Sequence, residues 1–259
     1  MTLFHTLFFG IVEGLTEFLP ISSTAHLDIS RILLGIPATE FIKSFEIIIQ
    51  LGAILAVVLL YREKLFKSWK YFRNIVIAFI PTGIIGFLLY KVIKTLLLGN
   101  AKVEALALLI GGLIILFFEN RRKHIPKPDS TQMVEDLTVP QLLTIGTAQA
   151  LAVIPGVSRS GAVFVCGRIM KLKAEVITEF SFLLAVPTML AASAYDVYKS
   201  GLAITRLEWF IIFIGFVTSF LVALFVIKWL INYVKTHTFN IFGWYRIVVG
   251  ILMLLFLLK

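Results

Sequence analysis

Gly10-Ile11-Val12-Glu13-Gly14-Leu15-Thr16-Glu17-Phe18-Leu19-Pro20-Ile21-Ser22-Ser23-Thr24-Ala25-His26-Leu27 is the stretch on which the fold turns. An apolar run over 3–19 carries two acids, meets Pro20 and a triplet of hydroxyls, and resumes its apolar character at Leu27. Proline stops a helix because it lacks the backbone N–H and leaves carbonyl groups unpaired. At membrane depth such a break survives only where protein or a water-filled cavity satisfies the freed groups. The stretch therefore predicts a re-entrant hairpin: apolar helix, polar break, short second helix.

The rest of the chain has the composition that this reading requires. Of 259 residues, 59% are hydrophobic and 15% charged, with a mean hydropathy of +0.96. Soluble domains are about 45–50% apolar and about 25% charged, and one of this length could not hide so much apolar surface. The net charge is +9. Its lysines and arginines cluster between apolar runs, which fits juxtamembrane contact with anionic lipid better than nucleic acid, so no nucleic-acid partner is expected. A single cysteine, Cys166, excludes an intrachain disulfide. The N-terminal run lacks a basic leader and a small-residue cleavage site, and reads as mature structure.

Six regions read as spanning helices, at 45–61, 74–90, 105–118, 180–195, 209–227 and 239–258, the last with Arg246 near its start. A second broken region runs over 137–154 into Pro155-Gly156-Val157-Ser158-Arg159-Ser160-Gly161 and resumes at Ala162. It reads as a second re-entrant hairpin.

The halves resemble each other. Gly10-Ile11-Val12-Glu13-Gly14-Leu15 aligns with Gly146-Thr147-Ala148-Gln149-Ala150-Leu151. After a one-residue gap Pro20 meets Pro155, Phe45 meets Phe180 and Leu55-Ala56 meets Leu190-Ala191. The expected architecture is an all-α polytopic membrane protein, one domain over 1–259. Its repeat halves span roughly 1–120 and 138–259, joined by a basic loop over 120–137. Three spans per half is an odd number, so the repeat is inverted and the binding site falls where the two breaks meet.

Arg62, Lys64, Lys67, Lys70, Arg73, Arg121, Arg122, Lys123, Lys127, Lys228 and Lys235 fall on one side. The other side holds Lys91, Lys94, Lys102, Lys199, Arg206 and Lys259. The richer side is expected to be cytoplasmic, with both termini outside.

The chemistry-bearing residues gather at the breaks. Glu13 and Glu17, four apart, share a helix face in an apolar segment where each charge is expensive and marks a functional site. Two adjacent carboxylates in low dielectric call for a proton or a cation between them. A divalent cation (Mg²⁺ or Ca²⁺) suits a site that must also hold phosphate. Either acid could instead cap the hairpin or pair with Arg159. Ser22, Ser23 and Thr24 are ordinary helix-capping residues as an isolated triplet; following two embedded acids and preceding His26 they become candidates for phosphate chemistry. In the second break, Gly156 allows close backbone approach. Ser158 and Ser160 add donors, and Arg159 offers a planar fork for phosphate. Glu46 and Gln50 either line the site or bridge helices.

One break thus supplies acids, hydroxyls and a histidine, and the other an anion cradle, the inventory for phosphoryl transfer. A phosphoanion held among membrane helices suggests a lipid phosphate. For the nucleophile, Ser23 with Glu17 as base stands first, His26 second, and direct attack by water third.

At these residues the chain resembles a known family. The stretch from Glu13 to His26 and the Pro155–Gly161 motif are similar to the two signature motifs of the undecaprenyl-diphosphate phosphatases, the bacitracin-resistance family. The resemblance extends over Phe45-Glu46-Ile47-Ile48-Ile49-Gln50-Leu51-Gly52, the segment from Glu179 to Pro187 and Trp244-Tyr245-Arg246. It implies hydrolysis of the C55 isoprenyl diphosphate to the monophosphate carrier lipid of envelope polymer synthesis, and resistance to bacitracin, which sequesters the diphosphate. It also implies a divalent-cation requirement, a homodimer, and an active site opening to the outer face of the cell membrane. Two positions depart from the pattern: Ala25 stands where the family usually has Gly, and Val163 where it usually has Thr. A transporter or lipid flippase is the competing reading, because broken helices at mid-membrane also hold transported anions. The other class of membrane lipid phosphatases shares only Ser158-Arg159, with no His five residues beyond.

Overall fold

The computed structural model describes residues 1–121, 133–200 and 205–257, and every regular element among them is helical. Ten α-helices run in the order α1 (Leu3–Thr16), α2 (Ser23–Leu33), α3 (Glu40–Lys67), α4 (Trp69–Val92), α5 (Ala101–Asn120), α6 (Val139–Ala150), α7 (Arg159–Ile169), α8 (Ala174–Ser200), α9 (Arg206–Thr236) and α10 (Asn240–Leu252). Helices α3, α4, α5, α8 and α9 are long and apolar enough to cross a membrane. Three shorter apolar helices, Leu3–Thr16, Val139–Val153 and Asn240–Phe256, make up the rest of the apolar scaffold. The expected sixth span is this last one, and its final residue, Leu258, lies outside the described residues. So do Arg122, Lys123, Lys127 and Lys259 of the expected charge bias, and most of the basic loop over 120–137.

Local sequence explains the helix starts. Thr39, Ser68, Asn100 and Thr205 each accept a hydrogen bond from the backbone N–H three residues on, satisfying donors that have no intrahelical partner. Thr205 and Glu208 complete a reciprocal capping box. Large apolar side chains such as Phe87 (65% exposed), Leu88 (71%), Phe213 (63%) and Phe225 (71%) cover the outside. Exposed apolar surface on this scale is what lipid covers.

Both broken segments are wedged between long helices. α1 packs on α9 and α6 on α4, while α3 packs on both α8 and α9 and α5 on α10. The fit depends on missing side chains: a Cβ on Gly14 would lie 2.7 Å from the Ser219 carbonyl oxygen of α9, and one on Gly146 would collide with the Ala78 carbonyl of α4. Thr82 fastens the second pair by donating to the Gly146 carbonyl at 2.9 Å.

Two backbone turns recur at one fixed spacing along the chain. Ser22 (φ 72°) and Ser158 (φ 69°) both sit in the left-handed region immediately before α2 and α7. Those helices end alike: Gly35 (φ 64°) and Lys171 (φ 64°) turn the chain, with Ile36 N–H donating to Arg31 O and Leu172 N–H to Gly167 O. All four correspondences keep one spacing, so the gap expected at the prolines falls beyond Ile36 and Leu172, before α3 and α8. Ser22 thereby corresponds to Ser158, Ser23 to Arg159 and Glu13 to Gln149.

The basic side closes around Glu179, near the start of α8. It pairs with Lys64 at 2.6 Å and accepts from the Tyr71 hydroxyl at 3.1 Å, joining the end of α3, the start of α4 and α8.

Candidate active site

The positive φ at Ser22 and Ser158 turns each chain sharply after its break, so that α2 and α7 begin beside one another. Their first residues, with the end of α1, enclose a small cleft of about 70 Å³ lined by Glu17, Ser22, Ser23, Thr24, Gln50, Ala152, Ile154, Gly156, Ser158, Arg159 and Met189. A left-handed backbone is uncommon for a residue with a Cβ and marks functional turns. Gly156 (φ 90°) is irreplaceable on space as well as on conformation, because a Cβ there would lie 2.6 Å from the Glu104 carbonyl oxygen.

Glu17 is the hub. One carboxylate oxygen accepts from the Ser23 hydroxyl at 2.6 Å, and the other from Arg159 Nη2 at 3.0 Å. All three side chains are buried. Arg159 is steadied by Nη1, which donates to the Ser181 carbonyl at 2.7 Å. That leaves Nε of Arg159 without a partner among the described residues, a donor directed at no protein acceptor. A buried guanidinium with a spare N–H beside a polar cleft is equipped to take an anion.

Glu13 lies one turn before Glu17, fully buried, and its carboxyl faces that of Glu17. Neither of its oxygens meets a hydrogen-bond donor among the described residues. Two facing carboxyls bear this arrangement only with a proton or a cation between them. Among the described residues no three His, Cys, Asp or Glu side chains gather as a metal-ligand set.

The other expected site residues divide into those that face the cleft and those that support it. Ser22, Ser23, Thr24, Gln50, Gly156 and Ser158 line it. Ser160 does not: its hydroxyl donates to the Leu19 carbonyl at 3.0 Å and lies 3.2 Å from Ser158 Oγ, tying the second break to the first. His26 is absent from the lining as well. Its Nδ1 is 2.7 Å from the Ser22 carbonyl and its Nε2 2.8 Å from the Tyr245 hydroxyl, with the two rings stacked. Of the pair left open, Gln50 lines the cleft, while Glu46 does not and lies within electrostatic reach both of Glu13 and of Asp28 and Arg31. Val163 is buried in the apolar core and Ala25 is fully buried, so neither departure from the family pattern removes a group from the lining.

Sequence reasoning assigned no role to Arg246, Tyr245 or Ser181. Arg246 gave a usable signal, a lone charge in an apolar span. Ser181 gave none, because it serves through its carbonyl.

Fold and site together define a polytopic membrane protein with an acid–serine–arginine cluster in a cleft between two broken helices. The family model described as "Bacitracin resistance protein BacA" matches residues 6–252, and the chain belongs to that family. Among its relatives, the undecaprenyl-diphosphatase of Aquifex aeolicus is 50% identical over the full length of both chains. That of a Sulfurihydrogenibium species is 47% identical over 97% of this chain and 98% of its own, and that of Persephonella marina 45% over the full length of both.

Proposed function

We propose that the protein hydrolyses undecaprenyl diphosphate to undecaprenyl phosphate and inorganic phosphate, renewing the carrier lipid for cell-wall polymers and conferring bacitracin resistance. The observation that carries this is the double engagement of Glu17, which holds the Ser23 hydroxyl on one oxygen and Arg159 on the other. A serine hydroxyl is a weak nucleophile until a neighbouring base takes its proton, and a hydrogen bond of 2.6 Å places Glu17 to do so. The names of the relatives supply the substrate.

In the first step Ser23 Oγ attacks the terminal phosphorus and its proton passes to Glu17. The bond from that phosphorus to the bridging oxygen breaks, and the electron pair leaves with the lipid monophosphate. Water then attacks the phosphoserine phosphorus and the bond to Ser23 Oγ breaks; Glu17 returns its proton to that oxygen and takes one from the water, and inorganic phosphate departs. Arg159 meets the charge that builds on the transferred phosphoryl group. The placement of His26 outside the lining, with both ring nitrogens engaged, favours Ser23 over His26 as nucleophile.

The buried, donor-free carboxyl of Glu13 beside Glu17 fits a divalent cation, which these two acids would hold. Such an ion would supply charge neutralisation for the diphosphate.

The wider reading has six spans and two re-entrant hairpins in an inverted repeat, with α10 as the sixth span and the cleft's two turns meeting near mid-membrane. The recurrent turns at Ser22 and Ser158 and at Gly35 and Lys171 support it. The protein sits in the cell membrane with the cleft opening outward, as a homodimer.

The test is phosphate release from purified protein in detergent with C15 and C55 prenyl diphosphates, with and without chelator. Equimolar prenyl monophosphate and phosphate, lost on chelation, are expected. Binding without release would refute hydrolysis and favour a carrier, since transport needs two compartments.

A further inference from the structure

Arg246 is fully buried in α10, outside both broken segments, yet it holds the two breaks together. Nη1 donates to the Pro20 carbonyl at 3.0 Å and the Val157 carbonyl at 3.1 Å; Nη2 donates to Gly156 O at 2.9 Å and Ala107 O at 3.0 Å. Nε reaches Leu108 O at 3.4 Å. Among the described residues every hydrogen bond that it makes goes to a backbone carbonyl, and α5 gives it room at Gly111, where a Cβ would collide with the guanidinium. The preceding residue extends the grip. Tyr245 holds His26 at Nε2, and the other nitrogen of that ring, Nδ1, meets the Ser22 carbonyl at 2.7 Å. Carbonyls of Pro20, Ser22, Gly156 and Val157, which flank or belong to the two left-handed serines, are thus tied to one turn of α10.

We propose that Tyr245 and Arg246 form a positioning clamp that sets the phosphate-binding turns of both halves, Arg246 directly and Tyr245 through His26. A trans peptide points its N–H opposite to its C=O, and no described peptide is cis. Drawing the Val157 carbonyl to Arg246 turns the Ser158 N–H away from α10, and holding the Ser22 carbonyl against the His26 ring and N–H within α2 turns the Ser23 N–H out of the start of that helix. These N–H groups lie at the starts of α7 and α2, the ends at which helices bind phosphate. The fork matters because a single planar group must meet carbonyls from two chain segments at once; an ammonium on a flexible stem cannot. A cation satisfied only by carbonyl dipoles keeps its charge uncancelled behind the cleft, where a diphosphate would feel it.

This deepens the hydrolase reading and rests on it, so the experiment separates the two. Phosphate release is measured for wild type, Arg246→Lys and Tyr245→Phe, each normalised to the folded fraction from size exclusion and thermal melting. Inhibition by inorganic phosphate is titrated in parallel. Arg246→Lys is expected to lower kcat about a hundredfold, the cost of a misplacement near 1 Å. It should also weaken phosphate inhibition about tenfold, the equivalent of one hydrogen bond to an anion. Tyr245→Phe is expected to lower kcat about tenfold through the same His26 linkage. A merely structural Arg246 would reduce the folded fraction and leave kcat per folded molecule and phosphate inhibition unchanged, and that result overturns the clamp. Should wild type release no phosphate, the hydrolase reading fails, and direct titration of phosphate binding decides the clamp: equal affinity in wild type and Arg246→Lys refutes it.

Discussion

Glu17→Gln separates the two roles that one carboxylate combines. Arg159 can only donate, so the oxygen of the introduced amide must turn to Arg159 Nη2, which lies 3.0 Å from Glu17 in the wild type. The amide nitrogen then faces Ser23 Oγ, where Glu17 now accepts at 2.6 Å. The direction of that hydrogen bond reverses: Ser23 Oγ accepts a hydrogen bond instead of donating one, and no base is left to take its proton. General-base assistance contributes about 10²–10⁴-fold, so kcat is expected to fall about a thousandfold. Stability suffers too. Removing one partner of a buried pair costs about 3–5 kcal/mol, but the amide oxygen still accepts from Arg159, which brings the expected cost down to about 1–3 kcal/mol. Glu17→Asp serves as the control. It keeps charge and base but is one methylene short, so it cannot span Ser23 and Arg159 together, and an intermediate loss of about a hundredfold is expected. The assay is phosphate release from farnesyl diphosphate, with thermal melting in the same detergent. A Glu17→Gln enzyme within about threefold of wild-type kcat would refute the base assignment, whose smallest expected effect is about a hundredfold. A Glu17→Asp enzyme worse than Glu17→Gln would refute the order of reasoning.

Arg159→Lys should recover little of the activity lost in Arg159→Ala, because an ammonium cannot hold Glu17, the Ser181 carbonyl and a phosphate oxygen with one fixed plane; kcat equal to wild type would remove the fork from the mechanism. Ser23→Ala should lose nearly all turnover while His26→Gln retains a measurable part, and a base-stable, acid-labile phosphoenzyme trapped from the wild type would instead point to His26. For orientation, cysteines replacing the exposed Phe66 and Tyr198 in a Cys166→Ala background should react with an impermeant reagent from opposite sides, Phe66→Cys from the cytoplasm. Labelling of both from one side would break the inverted arrangement.

The breaks were legible because prolines and hydroxyls interrupt apolar runs, and chain chemistry leaves few ways to do that inside a membrane. The pairing of Glu17 with both Ser23 and Arg159 was half legible. Charge balance pointed Arg159 at Glu17, and the short separation in sequence brought Ser23 back to it. Whether Arg159 was a structural partner or an anion receptor could not be read from residue types; its spare Nε beside the cleft is a matter of geometry. Helix starts at Thr39, Ser68, Asn100 and Thr205 follow local capping chemistry. The gap between the halves was misplaced because two prolines make a tempting anchor. The feature that recurs physically is the left-handed turn, which serine here adopts without any residue signature to announce it. The partners of His26 were not legible either: residue types do not show that one helical turn carries its ring around to Tyr245.

The two halves use one backbone device for different ends. Each delivers a helix start through a serine at positive φ, and at the next position the first half places Ser23 and the second Arg159. Equivalent positions on the two turns line a common cleft, so the Ser23 hydroxyl from one half and the Arg159 guanidinium from the other both reach Glu17. The same division appears one helix earlier. Glu13 is buried with no donor on its carboxyl among the described residues, whereas its counterpart Gln149 is neutral and donates to Thr82 and Thr188 hydroxyls at 3.0 Å each. The amide nitrogen finds acceptors on neutral helices, although its oxygen has no partner among the described residues; a carboxylate placed there would bury a charge with no partner. A second acid at position 149 would therefore be destabilising while adding nothing to a cleft that already has Glu17. The asymmetry between Glu13 and Gln149 follows from asking which half must hold charge, and it leaves both acids in the half that carries Ser23.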